Sequence, residues 1–308
     1  MKIPKWIAYT SALCVTAILL SGCTDRKQLK EDWLQAAAKQ ETVQHQRFSG
    51  EWKLALDKSL LEGAPPLTQA MLAALVEGRI EYSGLSSTAD QLQLEADVKV
   101  WPKGEGAPAV TMPMLIKDNK MYVHLPVVNK PDEYLEALLA EGDRLKQSGK
   151  LSAAVSQKLL QELDPDWLEA GDEQETLEGG ISAKRITVSL TDKNAKELSA
   201  YAARVLPGAI DEWRTSALLI DSQAKLLKEA ASSIQLAAPT TLDVWIDADG
   251  YIRQQKGLLS FRLKPDGPVH RAQWTHRTDA MNEAPAFQKE VPALVKPIGD
   301  VLKLVPKS

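Results

Sequence analysis

The sequence predicts an α+β fold: one large curved antiparallel sheet with helices packed on its concave face. Three observations carry this. Apolar residues recur with period two in many segments across the chain. Short turns join consecutive strands, which makes the pairing mostly antiparallel. Helical runs interrupt the strands only in places, without the regular βαβα alternation of a doubly wound sheet or a two-lobed solute-binding protein.

The chain opens on an address. Lys2 and Lys5 precede an uncharged apolar run from Trp6 to Leu20, about 15 residues where a membrane span needs about 20. Leu20, Ser21 and Gly22 then lead into Cys23. Small residues before a cysteine suit a lipoprotein signal peptidase cutting between Gly22 and Cys23. The segment closely resembles a bacterial lipobox, which implies a diacylglyceryl thioether on Cys23, an acylated amino terminus with fatty chains such as palmitate, and a signal peptide over 1–22. The other cysteine, Cys14, lies in the removed part, so the mature chain has no disulfide, cysteine nucleophile or thiolate metal site. The expected location is the extracytoplasmic face of the cell membrane, with the membrane a partner through the anchor.

Charge narrows the role. The 308 residues carry 37 basic and 41 acidic side chains, net −4; without the first 22 residues, which hold two lysines and no acid, the net is −6. A nucleic-acid binder needs a basic excess or a dense basic patch, so that class is excluded. The 44% apolar and 25% charged composition belongs to a globular chain.

The first mature element is a helix over 28–44, with Leu29, Trp33, Ala36, Ala37 and Gln40 on one face. Phe48, Gly50, Trp52, Leu54 and Leu56 then alternate as a half-buried strand. Pro65-Pro66 precedes a helical stripe of Leu67, Met71, Leu72, Leu75 and Val76, which suits a lid or ordinary core packing. A short strand is expected at Arg79–Tyr82. Leu92, Leu94, Ala96, Val98 and Val100 form the clearest strand, and 110–117 with 121–125 form a hairpin about Asp118-Asn119-Lys120. Pro131 suits a helix start, with Tyr134/Leu138 and Leu135/Leu139 as i,i+4 pairs. Leu151, Val155, Leu159 and Leu163 make another helical stripe. Asp164–Gly179 holds seven acids and no base and reads as a solvated loop between halves of roughly 28–163 and 180–280.

In the second half, Ile186, Val188 and Leu190 alternate as a strand. Thr191 caps a helix that Pro207-Gly208 breaks, and 216–236 is a further helical run. Leu242, Val244 and Ile246 run into the Asp249-Gly250 turn. Leu259, Phe261 and Leu263 run into Asp266-Gly267, and 269–278 completes a meander. The tail, 281–308, contains Pro285, Pro292, Pro297 and Pro306 and reads as irregular.

Element order and local style over most of the mature chain resemble the LolA/LppX-like lipoprotein-carrier superfamily, most of all the lipoproteins of Gram-positive, Bacillus-type bacteria. Cys23, the helix at 28–44, the strand Arg47–Leu54, the hairpin arm Asn119–Val123 and the meander Leu242–Ile252 carry the likeness. It implies a single domain over 23–308, a half-open barrel with helices as a lid over an apolar cavity, and non-covalent binding of a lipid, acyl chain or other amphiphile. The Pro65-Pro66 segment and the acidic stretch depart from a minimal carrier domain.

Enzymatic signatures are scarce, and the chain is read as a non-enzyme without cofactor or metal. There is no HExxH and no Gly-x-Ser-x-Gly elbow. His270 and His276, six residues apart on one strand, lie about 20 Å apart and read as two surface imidazoles rather than metal ligands. Gly104–Ala109 fits a loose GxGxxA pattern but contains Pro108 and precedes a strand, so it offers no helix N–H groups to a phosphate. Asn129–Asp132 resembles a guanine-specificity tetrapeptide, but no Walker loop accompanies it. Asp247–Gly250 lacks the closing glutamate of a calcium loop. An apolar groove is instead assigned to Trp52, Leu54, Leu94 and Val98 from the strands, with Leu72 and Leu75 from the helix above. Burying about 25 cal/mol per Å² holds an acyl chain without any motif. The alternatives are a cell-envelope scaffold with a filled interior and an unidentified protein partner, and, further off, an envelope hydrolase.

Overall fold

Alternating strands and turn residues assemble here into one very broad sheet. The computed structural model describes residues 25–58, 76–102, 108–126, 128–139, 148–172, 174–215 and 221–298. Among these, thirteen strands form the sheet: β1 (His45–Ala55), β2 (Arg79–Ser87), β3 (Gln93–Trp101), β4 (Val110–Lys117), β5 (Lys120–Val123), β6 (Glu133–Leu138), β7 (Leu168–Ala170), β8 (Glu175–Thr176), β9 (Ser182–Leu190), β10 (Gln235–Asp247), β11 (Ile252–Arg262), β12 (His270–Asp279) and β13 (Leu294–Pro297). The order is β13-β6-β5-β4-β3-β2-β1-β12-β11-β10-β9-β7, with β8 also on β9. All pairs are antiparallel except β13 with β6. The pairing of β1 with β12 joins the N-terminal and C-terminal strands into one surface. The fold is the α+β class read from the sequence, a large curved sheet with helices on its concave face.

Four helices accompany the sheet among the described residues: α1 (Arg26–Lys39), α2 (Ser148–Glu162), α3 (Ala195–Thr215) and α4 (Asp221–Ser233). The Asp25 side chain accepts from the Lys27 and Gln28 N–H groups and starts α1 two residues earlier than the apolar spacing suggests. Leu29, Trp33, Ala36 and Ala37 of α1 pack with Leu160 and Leu163 against Leu168, Ile186, Val244, Ile246 and Ile252. Six of those side chains are 2% exposed or less. At about 1.5–3 kcal/mol for each fully buried large side chain, this cluster fixes α1 and α2 over β9, β10 and β11. Lys30 Nζ donates to the carbonyls of Gln161 and Leu163 at 2.7 Å, a cation meeting the open carbonyl end of α2.

Several local readings need correction. Residues 133–138 form a strand, not a helix, because sheet pairing with β5 and β13 outweighs their i,i+4 spacing. Pro207 lies inside α3 without ending it. The acidic 164–179 stretch carries a 3₁₀ turn and the short strands β7 and β8, and Leu168 within it is fully buried. Glu175 there accepts from Trp245 Nε1 at 2.8 Å and pairs with Arg185 at 2.9 Å. Arg79 begins a nine-residue strand rather than a four-residue one. The Asp118-Asn119 turn has φ of 52° and 58°, as a type I′ hairpin requires, and Gly250 takes φ 82° in the second expected turn.

The tail is mostly irregular, yet it is attached. Glu95, 6% exposed, accepts the backbone N–H groups of Gln288 at 3.0 Å and Lys289 at 2.7 Å. Lys289 Nζ bonds Ala96 O and Asp97. These contacts lay 288–289 across β3 and deliver 294–297 to the sheet edge as β13.

Candidate functional site

Strand register decides which side chains share a face. Phe48, Gly50, Trp52 and Leu54 of β1 oppose Thr278, His276, Trp274 and Ala272 of β12. On the other side, Phe48, Gly50 and Trp52 oppose Gly84, Tyr82 and Ile80 of β2, which oppose Ala96, Val98 and Val100 of β3. This face is continuous with Val244 and Ile186, which carry α1 and α2. The helical cluster covers the β9–β11 end, while many apolar side chains on β1–β3 remain only half-buried.

Aromatic rings line this middle region. Trp52 and Trp274 stack with centroids 5.3 Å apart and planes 18° apart. Tyr82 stacks on His276 at 6.0 Å and meets Phe48 at 6.3 Å. Two glycines make room for them. A Cβ on Gly257 would lie 2.1 Å from the Trp274 ring, and one on Gly50 would lie 2.3 Å from the Tyr82 ring. The bare backbone is therefore the bed on which these rings lie.

Between the aromatic floor and the C-terminal end of α1 runs an open groove of about 540 Å³. Phe48, Tyr82, Leu92, Leu94 and Ile252 supply its apolar surface, with Ala37 at the helix side. Glutamines 40, 44, 46 and 255, with Ser86, Thr88 and Thr278, supply its polar surface. Among the described lining residues, the two charged side chains are engaged: Arg253 with Asp247, and Glu41 with Gln157 Nε2 at 3.2 Å. The groove thus joins an oily floor to a hydrogen-bonding rim.

His276 belongs to this floor. Its Nδ1 is 2.9 Å from the Tyr82 hydroxyl, and its Nε2 is 3.3 Å from Thr278 Oγ1. Burial holds the imidazole below the ordinary histidine value and pushes the Tyr82 hydroxyl up, although the indole of Trp52 partly opposes the latter. His270 is 2% exposed, and its Nδ1 accepts the Asp57 N–H at 3.0 Å. The reading of both as surface imidazoles is therefore corrected: each is a wall group of the apolar face. Period-two spacing from Trp274 could have placed His276 inward, but only the β12–β1 and β1–β2 registers together bring Tyr82 to it. Among the described residues, no group of three or more His, Cys, Asp or Glu is placed to hold a metal ion.

The structure places the assigned residues unequally. Leu94 lines the groove. Trp52, Leu54 and Val98 share its face farther along the strands, with Trp52 37% exposed. Leu72 and Leu75, and the anchor segment Leu20, Ser21, Gly22 and Cys23, lie outside the described residues. Sequence reasoning missed Tyr82, Gln255 and His276, because their meeting depends on strand register, with Tyr82 on β2 reaching His276 on β12 across β1. Among the described residues, no helix is long and apolar enough to cross a membrane.

No family model matches this sequence, and no curated protein matches it. Among solved structures, the chain is similar to LprF from Mycobacterium bovis, with 9% identity over 85% of this chain and 97% of that one and a TM-score of 0.43. A structure of lipovitellin, described as showing lipid–protein interactions, matches with 10% identity over 82% of this chain and 26% of that one, at a TM-score of 0.23.

Proposed function

We propose that this chain is a membrane-anchored extracytoplasmic lipoprotein that binds a lipid or other hydrophobic ligand without covalent chemistry. We read its anchor as a lipidated Cys23, in the manner of Gram-positive, Bacillus-type lipoproteins. The groove of about 540 Å³ over Phe48, Tyr82 and Leu94 carries this reading. Each buried CH₂ contributes about 0.8 kcal/mol, so ten contribute roughly 8 kcal/mol against an association cost of about 4 kcal/mol or more. No reacting group is required for such a role.

The anchor and the groove fit one arrangement. Helix α1 begins three residues after Cys23, which leaves a tether of about 10 Å. Its 14 residues, at about 1.5 Å each, set the groove about 20 Å farther along the helix. The domain would sit on the bilayer with the groove raised above the headgroups.

Two measurements test this. Metabolic labelling with a palmitate analogue should mark the wild-type chain and not Cys23→Ser. Native mass spectrometry of the protein purified from its membrane should show a co-purifying amphiphile that Leu94→Trp displaces. A groove that takes up neither native amphiphile nor a fluorescent fatty-acid probe refutes the binding role and leaves the anchor standing.

A further inference from the structure

The groove is small, and it runs across the strands. From Leu94 on β3 through Ser86, Phe48 and Thr278 to Ile252 on β11 it spans five strands. At ~4.8 Å per strand, that is about 19 Å. At about 30 Å³ per heavy atom, the share of a water in the liquid, 540 Å³ holds roughly 18 heavy atoms. One acyl chain of about twelve carbons with a glycerol head, about 19 heavy atoms together, fills this volume. A glycerolipid with two such chains needs about twice as much.

The polar groups at the floor are neutral. Gln255 lies directly across from His276 in the β11–β12 register, and His276 meets the Tyr82 hydroxyl on its other side. Burial favours the uncharged imidazole and the uncharged phenol. Arg253 is engaged with Asp247, and Glu41 adds a negative charge at the rim. An anionic head therefore meets no uncommitted cation among the described lining residues, while a hydroxyl or ester meets amides and hydroxyls able to donate and accept. Burying an uncompensated carboxylate is strongly unfavourable.

We infer that the groove selects a single-chain amphiphile with an uncharged, hydrogen-bonding head, one molecule per protein, in preference to two-chain lipids and to anionic heads. This deepens the hydrophobic-ligand reading above and rests on it.

The full lipidated chain, moved from detergent into amphipol, is titrated separately with radiolabelled 1-monolauroylglycerol, laurate and dilauroylglycerol in mildly alkaline buffer. The expected result is one bound monolauroylglycerol, with laurate and dilauroylglycerol each weaker by about tenfold or more. Gln255→Leu should weaken monolauroylglycerol severalfold while leaving the unfolding midpoint in place. If Gln255→Leu lowers the midpoint, Gln46→Leu, on the groove side of β1, serves instead with the same expectation. Laurate or dilauroylglycerol binding as tightly as the monoglyceride overturns the selectivity and leaves the ligand-binding role intact. Failure of all three to bind overturns both.

Discussion

Replacing Gly257 with alanine tests whether the aromatic bed is built as described. The new Cβ would fall 2.1 Å from both Cη2 and Cζ2 of Trp274, well inside contact distance. The indole must move, and it cannot do so without leaving its stack on Trp52. Overpacking of this kind costs about 1–3 kcal/mol, and loss of the aromatic pair adds about 0.5–1.5 kcal/mol. Removing a strand glycine returns about 0.5–1 kcal/mol. The net loss should be about 2 kcal/mol, measured by urea unfolding followed by far-UV circular dichroism. Trp274→Ala is itself destabilising, but in that background the Cβ meets no ring. Gly257→Ala should then be neutral or slightly stabilising, giving a coupling of about 2 kcal/mol. Gly257→Ala that matches the wild type, or that costs the same with and without Trp274, would refute the reasoning.

Three further outcomes follow from other contacts. Glu95→Gln replaces one of two carboxylate acceptors beneath the tail with a donor that faces a backbone N–H. It should cost about 1–3 kcal/mol and open residues 283–297 to limited proteolysis. Tyr201 donates its hydroxyl to Leu159 O at 2.6 Å, tying α3 to α2, and burial pushes that hydroxyl up to about 12. The unfolded chain ionises first, near 10, so stability should fall between pH 10 and 12; Tyr201→Phe should lessen that fall while costing about 1 kcal/mol at neutral pH. His270 and His276 are both held below 6.5 by burial, so the unfolded chain takes up protons more readily. Stability present above pH 6.5 should drain away as the pH drops through that value, and His276→Gln should flatten part of the slope in acid-titrated thermal melts.

The contrast between Leu94 and His276 shows how far one-dimensional pattern reaches. Leu94 was legible because strict alternation from Leu92 to Val100 declares an inward face, and that face is where the groove lies. His276 sits in an equally regular strand, but its setting comes from Tyr82, 194 residues away. Residues 133–138 show the opposite failure. Their helical spacing is real, but the open edge of β5 offers hydrogen bonds that an isolated short helix cannot match.

By itself the sequence determined what local chemistry can determine. Alternation marks strands, and Asp-Asn and Asp-Gly mark turns. Each of these is written in residues within a few positions of one another. Tertiary structure alone decided that β1 pairs with β12, that glycine on one strand beds an indole from the next, and that a neutral Tyr82–His276–Gln255 cluster faces the groove. Such contacts depend on the register between strands, some of them far apart in the chain, and a shift of one residue would turn every one of those side chains to the opposite face.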